Sequence, residues 1–130
     1  MHSFSVRTQK HTQFLDITQE VQSWIDDSGI KSGIVTVFVP HTTAGITINE
    51  NADPTVTSDI ADALDRAVPW QAQYRHSEGN AAAHVKASMM GSSIQLVVEG
   101  GRLLLGTWQA VYFCEFDGPR SRTVWIAATA

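Results

Sequence analysis

Sulfur chemistry has almost nothing to work with in this chain: 130 residues contain one cysteine. A single thiol closes no internal disulfide. Cys114 lies in the apolar run Val111-Tyr112-Phe113-Cys114. That setting predicts a small buried hydrophobe and not a nucleophile, since a reactive thiolate needs an electropositive, partly open environment. Basic residues are also few. Nine Lys and Arg face 13 Asp and Glu, a formal net charge of −4, and Arg75, Lys86, Arg102, Arg120 and Arg122 never form a run. Nucleic-acid binding needs clustered cations, so that role is excluded. No apolar stretch approaches the roughly 20 residues that cross a bilayer as a helix. The first seven residues, Met1-His2-Ser3-Phe4-Ser5-Val6-Arg7, hold no signal-peptide apolar core, so the expectation is a cytoplasmic chain without membrane contact. Charged residues make up only 17%, which is little for a monomer's surface, and four Trp accompany them. That combination leaves room for a buried subunit interface.

What is present describes one globular domain over residues 1–130. Hydrophobic residues make up 43%, and no linker, repeat or low-complexity tract divides the chain. A chain of this length buries roughly two thirds of its unfolded surface. Phe4, Val6 and Thr8 alternate with polar neighbours and predict a strand. Residues 16–27 predict a helix: Asp16 or Thr18 caps it, Ile17, Val21, Trp24 and Ile25 form its apolar stripe, and Gly29 closes it. The β-branched run 34–39 predicts a central strand ended by Pro40. Residues 45–49 alternate and are expected to pair nearby. Asp53-Pro54 opens a helix, N-cap then proline at the first position, with Val56, Ile60, Ala63, Leu64 and Ala67 as its apolar face and Pro69 as its stop. A looser stretch, 70–80, leads to a short helix over 81–90 ending at Gly91. Strands 94–98 and 102–105 flank Gly100-Gly101, a hairpin turn. Strands 108–116 and 123–128 flank the turn Asp117-Gly118-Pro119-Arg120. Strands without regular βαβ alternation predict an α+β fold on antiparallel sheets.

Five histidines occur, and three lie in segments marked by Gly, Pro, Thr and Asn: His41, His76 and His84. Imidazole changes charge near neutral pH and is the commonest metal ligand. His41 follows the most apolar strand, which holds its backbone while the ring reaches a cleft. Metal ligation, acid–base work and anion binding all suit that placement. The plainer alternative is a turn histidine beside two hydroxyls, Thr42 and Thr43, that bond the local backbone. In Asn49-Glu50-Asn51-Ala52-Asp53-Pro54, capping accounts for Asp53 but not for Glu50 or Asn49. His76 precedes the helix at 81–90, Asn80 can cap it, and His84 and Ser88 share one face while Lys86 points away. A spacing of eight does not match a short helical zinc motif. Trp108 either lines a pocket or packs in the core. Glu115 and Asp117 stand two apart and share one side of a strand, an ordinary solvated face unless that side meets the histidines.

Residues 40–54 (Pro-His-Thr-Thr-Ala-Gly-Ile-Thr-Ile-Asn-Glu-Asn-Ala-Asp-Pro), 74–88 (Tyr-Arg-His-Ser-Glu-Gly-Asn-Ala-Ala-Ala-His-Val-Lys-Ala-Ser), 101–109 (Gly-Arg-Leu-Leu-Leu-Gly-Thr-Trp-Gln) and 115–120 (Glu-Phe-Asp-Gly-Pro-Arg) resemble the YjbQ-like family. The resemblance runs over nearly the whole chain. It implies a two-sheet antiparallel β-sandwich with a few flanking helices, assembled as a homotrimer with a pocket near the subunit boundary. It implies an activity like that of secondary thiamine-phosphate synthases: a thiazole phosphate is joined to a pyrimidine diphosphate and pyrophosphate leaves. His41, His76, His84 and Glu50 would carry the chemistry. Thr42, Asn49, Asn80, Lys86 and Ser88 would contact a small phosphorylated or anionic ligand. In that chemistry Lys86, Arg75 or Arg120 adds positive charge, and Trp108 or Tyr74 stacks on a ring. A divalent metal, Zn²⁺ or Mg²⁺, is the expected cofactor, with His41, His76 and His84 as ligands. Imidazoles suit Zn²⁺, whereas Mg²⁺ prefers oxygens such as those of Glu50. The alternative is a metal- or oxyanion-binding protein with a three-histidine pocket, with unknown or hydrolytic activity. The chain departs from the family's common Gly-Asn-Ala-Asp-Ala-His at its fourth position, which is Ala82 here.

Overall fold

Side-chain alternation decides which strand goes where. The computed structural model describes residues 1–129. In chain order these form β1 (His2–Arg7), β2 (Gln13–Asp16), α1 (Thr18–Ser28), β3 (Ser32–Phe38), β4 (Ala44–Glu50), α2 (Pro54–Ala67), α3 (Ala81–Met90), β5 (Ser93–Glu99), β6 (Arg102–Leu103), β7 (Gln109–Glu115) and β8 (Ser121–Thr129). A five-stranded sheet has the order β1-β8-β3-β5-β6 and a three-stranded sheet the order β2-β7-β4. Every pairing is antiparallel. The fold is therefore α+β with three helices and two antiparallel sheets. No helix among the described residues is long and apolar enough to cross a membrane.

The β-branched run at β3 takes the middle of the larger sheet, as its composition predicts. Val35 and Val37 of β3, Leu96 and Val98 of β5, and Val124 and Ile126 of β8 point into one core. Ala44 and Ile46 of β4, with Val111 and Phe113 of β7, meet them from the smaller sheet, and Val21 and Ile25 of α1 fill the same space. The opposite face of β7 is apolar as well: Ala110, Tyr112, Cys114 and Phe116 pack against Leu64 of α2 and Ala83 and Ala87 of α3. Burial on both faces explains why β7 reads as an unbroken hydrophobic run. It also pushes the Cys114 thiol up to about 12, so the thiol stays protonated and inert.

Several boundaries differ from the sequence expectations. Residues 45–49 do not pair nearby. β4 pairs with β7, Ala44 opposite Glu115 and Glu50 opposite Gln109, because its apolar side chains complete the core between the sheets. β2 has no counterpart in the periodicity; four residues are too few to show one. Neither Asp16 nor Thr18 caps α1 as expected. Asp16 ends β2 and accepts the Thr18 N–H (3.0 Å), while the Thr18 hydroxyl accepts the Val111 N–H (2.8 Å) and ties the helix to β7. β6 stops at Leu103, and β7 starts after Trp108, which lies outside the strand and is 61% exposed. Asp53 does cap α2, accepting the Thr55 N–H at 3.0 Å with Pro54 at the first position. The β5–β6 turn uses Gly100 and Gly101 at φ +60° and +75°, a left-handed pair that other residues adopt with strain.

Candidate functional site

Three separate segments deliver the histidines to one place. β3 ends at Phe38, and the loop after it presents His41. The close approach of α3 to the start of β4 depends on Gly45. A Cβ there would stand 2.8 Å from the Gly91 carbonyl oxygen and 2.9 Å from the Met90 Cβ. The Ile46 N–H donates to that same Gly91 carbonyl (3.1 Å). Seated in this way, α3 brings His84 beside the loop of His41. The stretch 68–80, between α2 and α3, brings His76 over His84, ring centroids 5.1 Å apart and edge to face. His41, His76 and His84 then line one cleft of about 410 Å³ with Thr42, Asn80, Glu78, Arg120 and Arg122. A second cavity of about 490 Å³ shares His41, Thr42 and His84 and extends to Ser88.

Beneath the cleft lies a buried ion pair between the two sheets. Glu115 is fully buried and Arg122 nearly so. Arg122 donates from Nε to Glu115 Oε1 (2.8 Å), from Nη2 to Oε2, and from Nη2 to the Thr43 hydroxyl (2.8 Å). Glu115 also accepts the Thr8 hydroxyl (2.8 Å) and the Asp117 N–H (2.9 Å). Burial alone would raise the Glu115 carboxyl. The Arg122, Asp117 and Thr8 hydrogen bonds and the Arg122 charge outweigh it and hold the carboxyl below its ordinary value. The expectation of a solvated face for Glu115 and Asp117 therefore fails. Glu115 shares its inward side with Val111 and Phe113, and Arg122 shares its side with Val124 and Ile126. Two opposite charges at inward positions of facing strands are the signal that finds this pair in a sequence. Neither Arg122, Thr43 nor Glu78 was expected at the site.

The network fixes the chemistry of His41. Its Nε2 accepts the Thr123 N–H of β8 at 2.9 Å. Burial, then the nearby Arg122 charge, lower its pKa, against the opposing pull of that bond and of Glu115. A neutral ring whose Nε2 is an acceptor carries its proton on Nδ1. His41 thus presents an N–H donor and no second lone pair. Asn80, expected to cap α3, makes no capping bond. Its Nδ2 donates to Asp117 Oδ2 (2.8 Å), which also accepts Arg120 Nη2 (3.1 Å).

Other expected site residues lie elsewhere. Lys86 is buried on the far side of α3 and pairs with Asp65 of α2. Its charge is spent between the two helices, outside the cleft lining. Asn49 and Glu50 end β4, roughly 20 Å along the strand from its start beside the histidines. Trp108 is next to them, its carbonyl accepting the Asn51 N–H. Within one chain these three do not reach the histidine cleft. Ala82, at the position of the common family Asp, is fully buried, so the departure puts a methyl where a carboxylate would have stood.

As to a metal, the histidines as placed do not offer three lone pairs, since His41 has none to give. Among the described residues no group of three or more His, Cys, Asp or Glu is disposed to hold a metal ion. The cleft offers N–H donors from Arg120, from Arg122 Nη1, from His41 Nδ1, and from the imidazoles of His76 and His84. That set suits an oxyanion.

Residues 2–130 match the family described as UPF0047 protein YjbQ-like. A UPF0047 protein of Bacillus subtilis, YugU, is 51% identical over 127 residues, covering 97% of this chain and 96% of its own. A UPF0047 protein of Methanocaldococcus jannaschii is 45% identical over 126 residues, covering 97% and 91%. The crystal structure of an uncharacterised YjbQ/UPF0047 protein from Clostridium acetobutylicum superposes with a TM-score of 0.97 at 53% identity, over 99% of this chain and all of that one. A conserved hypothetical protein of Thermus thermophilus does so with a TM-score of 0.93 at 43% identity, over 99% and 100%.

Proposed function

The chain belongs to the UPF0047 YjbQ-like family, and from that premise we propose that it binds a small phosphorylated ligand in the three-histidine cleft. His76 and His84 serve there as hydrogen-bond donors and proton carriers. One observation carries this: His41 accepts the Thr123 N–H through Nε2, which leaves its other nitrogen as an N–H donor to oxygen instead of a ligand to metal. Arg120 and Arg122 line the same cleft and supply the guanidinium groups that recognise phosphate oxygens. Isothermal titration with inorganic phosphate and pyrophosphate tests it. Saturable binding is expected, weakened about tenfold or more in His84→Ala, since a charge-assisted hydrogen bond lost from a shielded site is of that order. Absence of binding by either anion to folded protein would overturn it.

The narrower form is the synthase reaction that the resemblance implies, in which a thiazole phosphate displaces pyrophosphate from a pyrimidine diphosphate, the two rings are joined and pyrophosphate is released. An anion cleft is what the departing pyrophosphate requires, and this favours the reaction over unrelated hydrolysis. Purified protein with Mg²⁺ should make thiamine phosphate above the level of a His84→Ala control. A metal-binding role for His41, His76 and His84 needs His41 to release Thr123. Elemental analysis of protein purified without chelator or nickel resin checks it: stoichiometric Zn²⁺ lost in His41→Ala would support a metal centre over the anion cleft.

We also infer assembly of the sandwich into a homotrimer. Ile34, Phe38, Val97 and Trp125 are exposed on the outer face of the five-stranded sheet. Trp125 stacks on Phe38 with ring centroids 5.7 Å apart. An apolar sheet face in a chain of low charge calls for cover.

A further inference from the structure

We propose that the ligand of the anion cleft is a phosphomonoester whose organic body is uncharged and largely apolar, held in the adjoining cavity between α3 and the start of β4. This rests on the anion cleft proposed above and names the rest of the molecule that the cleft binds.

The two cavities meet at His41, Thr42 and His84, which line both. Away from that shared wall they differ in character. The cleft continues to Arg120 and Arg122, whose guanidinium groups serve an anion. The second cavity, about 490 Å³, continues along α3, where His84, Ala87, Ser88 and Gly91 follow one another on a single face, and reaches Ala44 and Ser92. Among the described residues its lining holds no Asp, Glu, Lys or Arg.

The backbone around this second cavity is largely spent. The Gly91 carbonyl accepts the Ile46 N–H (3.1 Å), the Ser92 carbonyl accepts the Val39 N–H (2.7 Å), and the Gly91 N–H donates to the Ala87 carbonyl (3.0 Å). The Ser88 hydroxyl gives its proton to the His84 carbonyl (3.0 Å). The side-chain polar atoms left are the hydroxyl oxygens of Thr42, Ser88 and Ser92, all on exposed residues within reach of water, and the ring nitrogens of His41 and His84 in the shared wall, which the anion engages. Ala44 and Ala87 are buried and supply methyl groups. Such a lining stabilises apolar surface withdrawn from water and penalises a charge, which would lose its hydration with no countercharge to replace it. Apolar cavities of about 150 Å³ already take a benzene ring, so this one has room for a substituted ring. A phosphomonoester matches both halves. Its terminal oxygens take the donors of the cleft, and its ester oxygen carries one substituent past the shared wall.

Calorimetric titrations of the whole protein with inorganic phosphate, methyl phosphate, phenyl phosphate and O-phosphoserine test this. Phenyl phosphate should bind about tenfold or more tightly than methyl phosphate, the gain expected from burying most of one ring. O-phosphoserine, whose body carries an ammonium and a carboxylate, should bind no more tightly than methyl phosphate. Ser88→Leu and Ser92→Leu, both at exposed positions, each put a branched side chain on the cavity lining. Either one, folded, should bring phenyl and methyl phosphate within about twofold of each other. Inorganic and methyl phosphate bound while phenyl phosphate gains nothing would overturn the proposal and leave the anion cleft standing. So would a phenyl preference that survives in both folded variants, or O-phosphoserine bound as tightly as phenyl phosphate. Binding of none of the four would remove the anion cleft itself, and with it this assignment of its ligand.

Discussion

Arg122 and Glu115 set what each nearby residue can do. The guanidinium is buried with its Nε and Nη2 spent on Glu115 and Thr43, and its charge helps keep His41 neutral. Removing one partner of a buried pair strands the other, so Glu115→Gln should lower the unfolding free energy by about 3–5 kcal/mol in urea melts. The pH dependence separates the two groups. His41 is lowered from its ordinary 6.5. Its contribution is full above that value and is lost as pH falls through the lowered folded value, because the unfolded chain takes up the proton first. Glu115 is lowered from 4.5, and its contribution is lost in a separate, more acidic window below that value. Urea midpoints measured from pH 8 downward should therefore show two declines. In His41→Gln the first should flatten while the second remains. The histidines were legible because imidazoles in Gly- and Pro-marked loops stand apart from packing. The ion pair below them was not: Glu115 and Arg122 stand seven apart across one turn, but β7 and β8 enter different sheets, and alternation within each strand does not say that their inward faces meet in one core.

At the scale of elements, the helices and the Asp53 cap of α2 announced themselves while strand partners did not. Proline after an aspartate started α2 where expected, and α3 spans the residues its helix formers predict. Strand pairing is set by which inward faces complete a common core, and periodicity within one strand says nothing about its neighbour. β4 next to β7, and the four-residue β2, are both of this kind. The seating of α3 on β4 also depends on an absent side chain, Gly45. Gly45→Ala pushes a methyl into the Gly91 carbonyl and Met90 Cβ, and overpacking of this kind costs about 1–3 kcal/mol. Because α3 carries His84, Ser88 and the approach to Asn80, the variant should lose phosphate affinity as well as stability. A melt and a titration on the same sample check both. Full affinity with reduced stability would show that the helix moves without disturbing the cleft.

For the whole molecule, the outer face of the five-stranded sheet and the cleft are neighbours. Thr123, which holds His41, and Trp125 alternate with the inward Arg122, Val124 and Ile126 along β8, and therefore share its outer side. Cover over Trp125 and Phe38 thus stiffens the strand that orients the first histidine. The donors counted for the anion, by contrast, all come from one chain. These two facts predict different responses to dissociation. Light scattering should give the wild type a mass three times the 14.2 kDa of the chain, and Trp125→Glu, which puts a charge on the apolar face, should return it to a single chain. That monomer should keep phosphate affinity within about threefold, because no hydrogen bond to the anion is lost and only loop order is sacrificed. Glu50, Asn49 and Trp108, remote from the histidines in their own chain, can meet a ligand only if another copy presents them. A larger collapse of affinity in Trp125→Glu, matched by Glu50→Gln in the intact trimer, would mean that a neighbouring subunit completes the cleft.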